Sequence, residues 1–243
     1  MYSAQDGLVE DWHLVHLGAR AVGGAGLILT EMTAVAREGR ITPGCAGIYL
    51  PEHVPAWRRI VDFVHRRSEA RIGVQLGHAG RKGATSVPWE ADKPLSEGAW
   101  PLWAPSPLPY APGRQTPRVM DAAAMTQVRE EYVRAARRAV EAGFDLLELH
   151  MAHAYTLSSF LSRRNHRRDE FGGSLENRAK VARGAVRAVR AEVGDRREFA
   201  LLKYRPHSLN VERHLLSRWQ PPLAARLRGA PHRLLLRRAP QPR

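Results

Sequence analysis

The chain holds one cysteine, Cys45, among 243 residues. That excludes an intramolecular disulfide and any metal site built from several cysteines, and no metal is expected. No apolar run reaches the roughly 18 residues that a membrane-spanning helix needs. The opening Met1-Tyr-Ser-Ala-Gln-Asp-Gly has neither the basic nor the apolar part of a secretory signal, so a cytoplasmic protein is expected. Acids are scarce, with 24 Asp and Glu against 38 Lys and Arg, a net charge of +14. That surplus is uneven. Residues 204–243 hold nine arginines and one acid, Glu212, which places +8 in the tail. Few aromatics are interleaved there for stacking on bases, only Tyr204 and Trp219. The charge therefore argues against a nucleic-acid arm.

What remains has the composition of a globular domain, with 44% apolar residues. Short apolar runs at 26–31, 72–78, 146–150 and 199–204 read as strands, each preceded by a helical stretch, at 11–22, 52–67, 122–142 and 175–193. Alternation of this kind gives parallel βα units. On the third helix Val128, Tyr132, Ala135, Ala139 and Ala142 recur at helical spacing and should face the core. Ser174 with Asn177 should open the fourth. Residues 80–118 form a long segment rich in Pro, Gly and Trp, with Trp89, Trp100, Trp103 and Tyr110. A connection this long is uncommon unless it is functional. It reads either as a cover over a site or as an aromatic-anchored surface loop.

Chemistry concentrates in Leu146-Leu-Glu-Leu-His-Met-Ala-His-Ala-Tyr155 and Asp169-Glu-Phe-Gly-Gly-Ser-Leu-Glu-Asn-Arg178. The first delivers His150, His153 and Tyr155 just past the C-terminal end of a strand, the active-site face of an α/β barrel. Two imidazoles and a phenol can polarise a carbonyl and supply a proton. Structural filling of the barrel top is the alternative.

Together these stretches resemble the signatures of the Old Yellow Enzyme family, the FMN-dependent NADH:flavin oxidoreductases and ene-reductases. The resemblance covers about residues 1–203 and implies an α/β fold, a partial TIM (β/α)8 barrel lacking strand 1 and strands 6–8. The Arg/Pro-rich tail 204–243 is then non-native or disordered, the product of a truncated gene. The implied activity is reduction of activated C=C bonds, with FMN as cofactor and NADH or NADPH as reductant. His150 and His153 would bind the substrate carbonyl and Tyr155 would donate the proton. Tyr2, Met32, Gln75, His150 and Lys203 would contact the flavin, Lys203 replacing the family's arginine. The residue at position 32 is usually small, and Ala154 stands where the family has glycine. Phe171 replaces a tyrosine in a segment expected to brace the loop after strand four. His78 and Arg81 read as structural.

Within the family, the chain looks most like the reductase domain of aminobenzoyl-CoA or salicylyl-CoA monooxygenase/reductases. The implied partner is a small-molecule substrate, an enone or an aromatic acyl-CoA. No nucleic acid or membrane is implied, and the full-length family allows a homo-oligomer. Two rival classes stay open: a non-catalytic fragment of such an enzyme, and a basic nucleic-acid-binding protein.

Overall fold

The computed structural model describes residues 1–194 and the backbone of Glu198–Leu202. Lys203 and the tail 204–243 lie outside the described residues. Four strands, β1 (Leu27–Ala34), β2 (Arg71–Gly77), β5 (Leu146–His150) and β6 (Glu198–Leu202), form one parallel sheet in the order β1-β2-β5-β6. A two-stranded pair, β3 (Trp103–Ala104) and β4 (Arg118–Val119), lies within the 80–118 segment. The helices are α1 (Asp11–Val22), α2 (His53–Arg67), α3 (Ala122–Ala142), α4 (Thr156–Leu161), α5 (Leu175–Arg178) and α6 (Lys180–Val193). This is the strand–helix alternation of a partial (β/α) barrel. No helix among the described residues is long and apolar enough to cross a membrane.

Local chemistry sets the elements. Asp121 opens α3 by accepting the Ala124 N–H at 2.8 Å, and Gly143 closes it with φ 95°. Ser174 opens α5 by accepting the Asn177 N–H at 3.2 Å, the cap expected from the sequence. The single helix expected over 175–193 divides at Ala179, although backbone bonds continue across it from Ala179 to Leu175 and from Arg183 to Ala179. Alternate strand residues Ile72, Val74, Leu76, Leu147 and Leu149 are buried against Trp57, Ile60, Val61 and Val64 of α2 and the Val128, Tyr132, Ala135 and Ala139 face of α3. On the opposite face of β1, Leu27 and Leu29 are exposed. The core therefore lies between sheet and helices.

Two departures stand out, of which the first bears on the site. In β1 the register slips: Leu29 pairs with Gly73, yet Met32 pairs with Gln75. One extra residue in β1 is a bulge, which turns Met32 onto the same face as Gln75. The Thr30 hydroxyl accepts the Gln75 N–H there at 3.1 Å. Met32 then lies across Gly77, where a Cβ would stand 2.5 Å from Met32 Cγ. Glycine at 77 makes room for a bulky residue at 32.

The second is a buried acid. Glu131 on α3 is only 7% exposed; Oε1 accepts from Gln127 at 2.9 Å while Oε2 has no partner. Burial pushes its carboxyl up to about 7. The 80–118 segment has ordered structure of its own. It is pinned by buried Trp100 and Leu102 and by the β3–β4 pair, with Arg40 stacked 4.8 Å from the Trp100 ring centre.

Gly77→Ala should cost about 1–3 kcal/mol by overpacking against Met32. Combining it with Met32→Ala should recover most of that loss in a chemical-denaturation cycle; strictly additive losses would contradict the contact. Glu131 keeps, when folded, a proton that it loses when unfolded, so its contribution is complete below its ordinary value of 4.5 and lost as pH rises through about 7. Glu131→Gln should therefore stabilise the protein by roughly 3 kcal/mol at pH 8, with the gain vanishing below about pH 4.5. Equal gains in denaturation at both pH values would contradict the burial argument.

Candidate active site

The parallel register gathers the candidate residues. Met32 on β1 pairs with Gln75 on β2, and Gln75 pairs with Glu148 on β5. His150 lies two residues beyond Glu148 on the same face, at the C-terminal end of β5. Gln75 Nε2 donates to Glu148 Oε2 at 3.0 Å. Glu148 is a buried carboxylate that the sequence reading passed over. The period of two that links it to His150 was the signal available.

Beyond β5 the chain turns sharply before α4. His153 and Ala154 both sit in the left-handed region, with φ 55° and 60°. Neither has the freedom of glycine, so the turn is strained. It is held by the first turn of α4: Ser158 Oγ donates to Ala152 O at 2.6 Å and Ser159 Oγ to Ala154 O at 2.8 Å. At the neighbouring strand end, the His78 Nδ1 accepts from the Gly80 N–H at 3.1 Å and lies 2.9 Å from the Thr156 hydroxyl. Through Nδ1, His78 thus ties the end of β2 to the start of α4, consistent with the structural reading. Burial pushes it down to about 4.

Three rings meet on this turn. The His150 and Tyr155 centroids are 4.4 Å apart, those of His150 and His153 4.8 Å, and those of His153 and Tyr155 5.9 Å. Hydrogen bonds assign the tautomers. The Ala152 N–H donates to His150 Nδ1 at 3.1 Å, so the His150 proton is on Nε2. That Nε2 lies 3.0 Å from His153 Nδ1, which accepts it and leaves the His153 proton on its own Nε2. Burial pushes His150 down to about 4, with His153 and Lys82 adding to the effect. Burial, then Lys82, lowers His153 too. Both imidazoles are therefore neutral near pH 7. Tyr155 is pushed up, first by burial and then by Tyr2, Cys45 and Tyr110, and keeps its phenolic proton.

Tyr2 is anchored rather than loose. Its ring packs edge-on to Trp89 at 6.2 Å, and it shares with Tyr155 and Tyr110 a cavity of about 160 Å3 beneath the 80–118 segment. Lys82, another residue unremarked in the sequence, has its ammonium 4.5 Å from the Tyr110 ring centre and 5.6 Å from that of Tyr155. The 169–178 stretch braces its loop: Arg167 pairs with Asp169, Asn165 Nδ2 donates to Phe160 O and Phe171 O, and Arg178 Nε donates to Leu161 O at 3.0 Å. The structure thus brings together His150, His153, Tyr155 and Tyr2, and sets Met32 and Gln75 beside them. Lys203 is outside the described residues.

Comparison with known proteins points the same way. A family model described as NADH:flavin oxidoreductase / NADH oxidase matches residues 1–214. An NADPH dehydrogenase of a Geobacillus species is 41% identical over 218 residues, covering 87% of this chain and 60% of that protein. The crystal structure of an Old Yellow Enzyme from a Pichia species superposes with a TM-score of 0.72 at 31% identity, over 82% of this chain and 52% of that one. A 2-naphthoyl-CoA reductase superposes with a TM-score of 0.72 over 82% of this chain and 31% of that one, at 23% identity, a likeness of fold alone. The chain thus spans about half to three-fifths of the length of the first two. With its matched residues running through the sheet, the His150–Tyr155 turn and the loop behind it, this chain belongs to the NADH:flavin oxidoreductase / NADH oxidase family.

Proposed function

We propose that the protein is an FMN-dependent NAD(P)H oxidoreductase that reduces C=C bonds conjugated to a carbonyl. The observation that carries this reading is the cluster of two neutral imidazoles and a protonated phenol on the turn after β5. The residue set also suits a flavin. Gln75 spends one N–H on Glu148, which leaves its second N–H and its carbonyl oxygen for a heterocycle edge that both donates and accepts. Met32, Gln75 and His150 would hold the ring, with Tyr2 and Lys203 added by family likeness. Bound FMN, reduced by NADH or NADPH, would supply the hydride.

The chain's own residues do the rest. A substrate carbonyl oxygen accepts the Nε2–H groups of His150 and His153, taking the His150 proton from its present bond to His153 Nδ1. Neutral donors draw electron density from the β-carbon without placing a fixed charge beside it. As the β-carbon gains hydride, the Tyr155 hydroxyl gives its proton to the α-carbon and is reprotonated from water, leaving a saturated carbonyl product. An aromatic acyl-CoA is the narrower substrate proposal, supported by the sequence likeness noted above; an enone meets the same geometry.

Tyr155→Phe should slow enone-dependent reoxidation of the reduced, FMN-loaded protein by about 10²–10⁴-fold while leaving NADPH-dependent bleaching of the flavin intact. Stopped-flow absorbance separates the two half-reactions. Unchanged reoxidation in the variant would remove Tyr155 from the chemistry.

A further inference from the structure

The cavity beside Tyr155 carries more positive charge than it neutralises. Arg81, Lys82 and Arg114 line it, against one acid, Asp92. Asp92 is committed, its Oδ2 lying 2.8 Å from Arg114 Nη2. Among the described residues neither Arg81 nor Lys82 forms an ion pair with a carboxylate. Arg81 is only 9% exposed, and its Nε is buried without a hydrogen-bond partner. The nearby Arg164 repels it further. Lys82 rests over the faces of Tyr110 and Tyr155, which attract an ammonium but leave its charge in place. A guanidinium whose Nε is buried and unpaired, beside an unneutralised ammonium, is costly unless an anion joins them.

We infer that this cavity is an anion subsite, which takes a carboxylate or phosphate carried by the substrate itself. The inference rests on the reading of Tyr155 as facing substrate. Tyr155 is a wall of the cavity and also touches the His150 ring, so one molecule can seat its acid on Arg81 and Lys82 and present a conjugated carbonyl to the two histidines. Arg81 supplies planar donors suited to either oxyanion, and Lys82 a point charge. The cavity volume of about 160 Å3 has room for a carboxylate or phosphate with a few attached carbons. The preferred substrates are then anionic unsaturated carbonyl compounds, and neutral enones of the same size bind less well.

Isothermal titration of the full chain with trans-4-oxo-2-pentenoate, which carries an acid and a separate conjugated ketone, and with its primary amide tests this, with phenyl phosphate and benzyl alcohol as a second pair for the anion alone. The acid of each pair should bind at least about tenfold tighter than its neutral counterpart. The tighter of the two acids identifies carboxylate or phosphate as the natural group. Lys82→Met should bring the acid-to-neutral ratio close to one, and Lys82→Arg should keep it. Arg81→Gln, with circular dichroism as the check on folding, should also lower the ratio. Equal affinity of the oxopentenoate and its amide, or an unchanged ratio in Lys82→Met, would overturn the subsite. Titrations on protein with and without added FMN separate the two readings. Failure to retain FMN counts against the flavin function, whereas loss of acid preference in protein that does retain FMN counts against the subsite alone.

Discussion

The parallel register of β1, β2 and β5 is the constraint on which the rest depends. Because Met32 aligns with Gln75 and Gln75 with Glu148, three strands that are distant in sequence present one row of side chains. His150 follows from that row by the two-residue repeat of a strand. A one-residue slip would turn the whole set to the helix-covered face. The bulge in β1 makes the row possible, since without it Met32 would point away from Gln75. Gly77 then accommodates the size of Met32. Backbone pairing, one irregular residue and one missing side chain thus act as a unit.

The turn after β5 adds the chemistry and the strain. Two non-glycine residues in left-handed conformation are unfavourable by themselves. Here the hydroxyls of Ser158 and Ser159 hold the carbonyls of Ala152 and Ala154, and the Ala152 N–H holds His150 Nδ1. The same bond that steadies the turn chooses the His150 tautomer. Shape and proton position are therefore one decision. The cationic pair beyond Tyr155 extends this economy: the residues next to the glycine turn at 80 carry the charge and line the cavity together with later residues of the long segment.

Much of the fold could be read from the chain. The apolar runs and helix stretches fall within a few residues of the observed elements, and the face of α3 from Val128 to Ala142 is buried as its spacing implies. His150, His153, Tyr155 and the capping Ser174 were also readable, because each belongs to a local pattern. What escaped depends on partners far along the chain. Glu148 reads as an acid in an apolar strand until Gln75 appears across the sheet. The β1 bulge has no local marker, since Thr30 matters only through the Gln75 N–H. Lys82 acquires meaning from Tyr110, which the long segment brings back over it. The ordering of residues 80–118 rests on tryptophans whose burial only tertiary contact decides.

The proposed chemistry turns on two imidazoles that are neutral, of one tautomer and linked to each other. Long-range proton–nitrogen NMR of the histidine rings measures this directly. The structure predicts His150 and His153 both as neutral Nε2–H rings, with the His150 signals unchanged from about pH 8 down to about pH 5, because burial and Lys82 disfavour the imidazolium. A His150 ring that carries its proton on Nδ1, or that titrates near its ordinary value of 6.5, would contradict it.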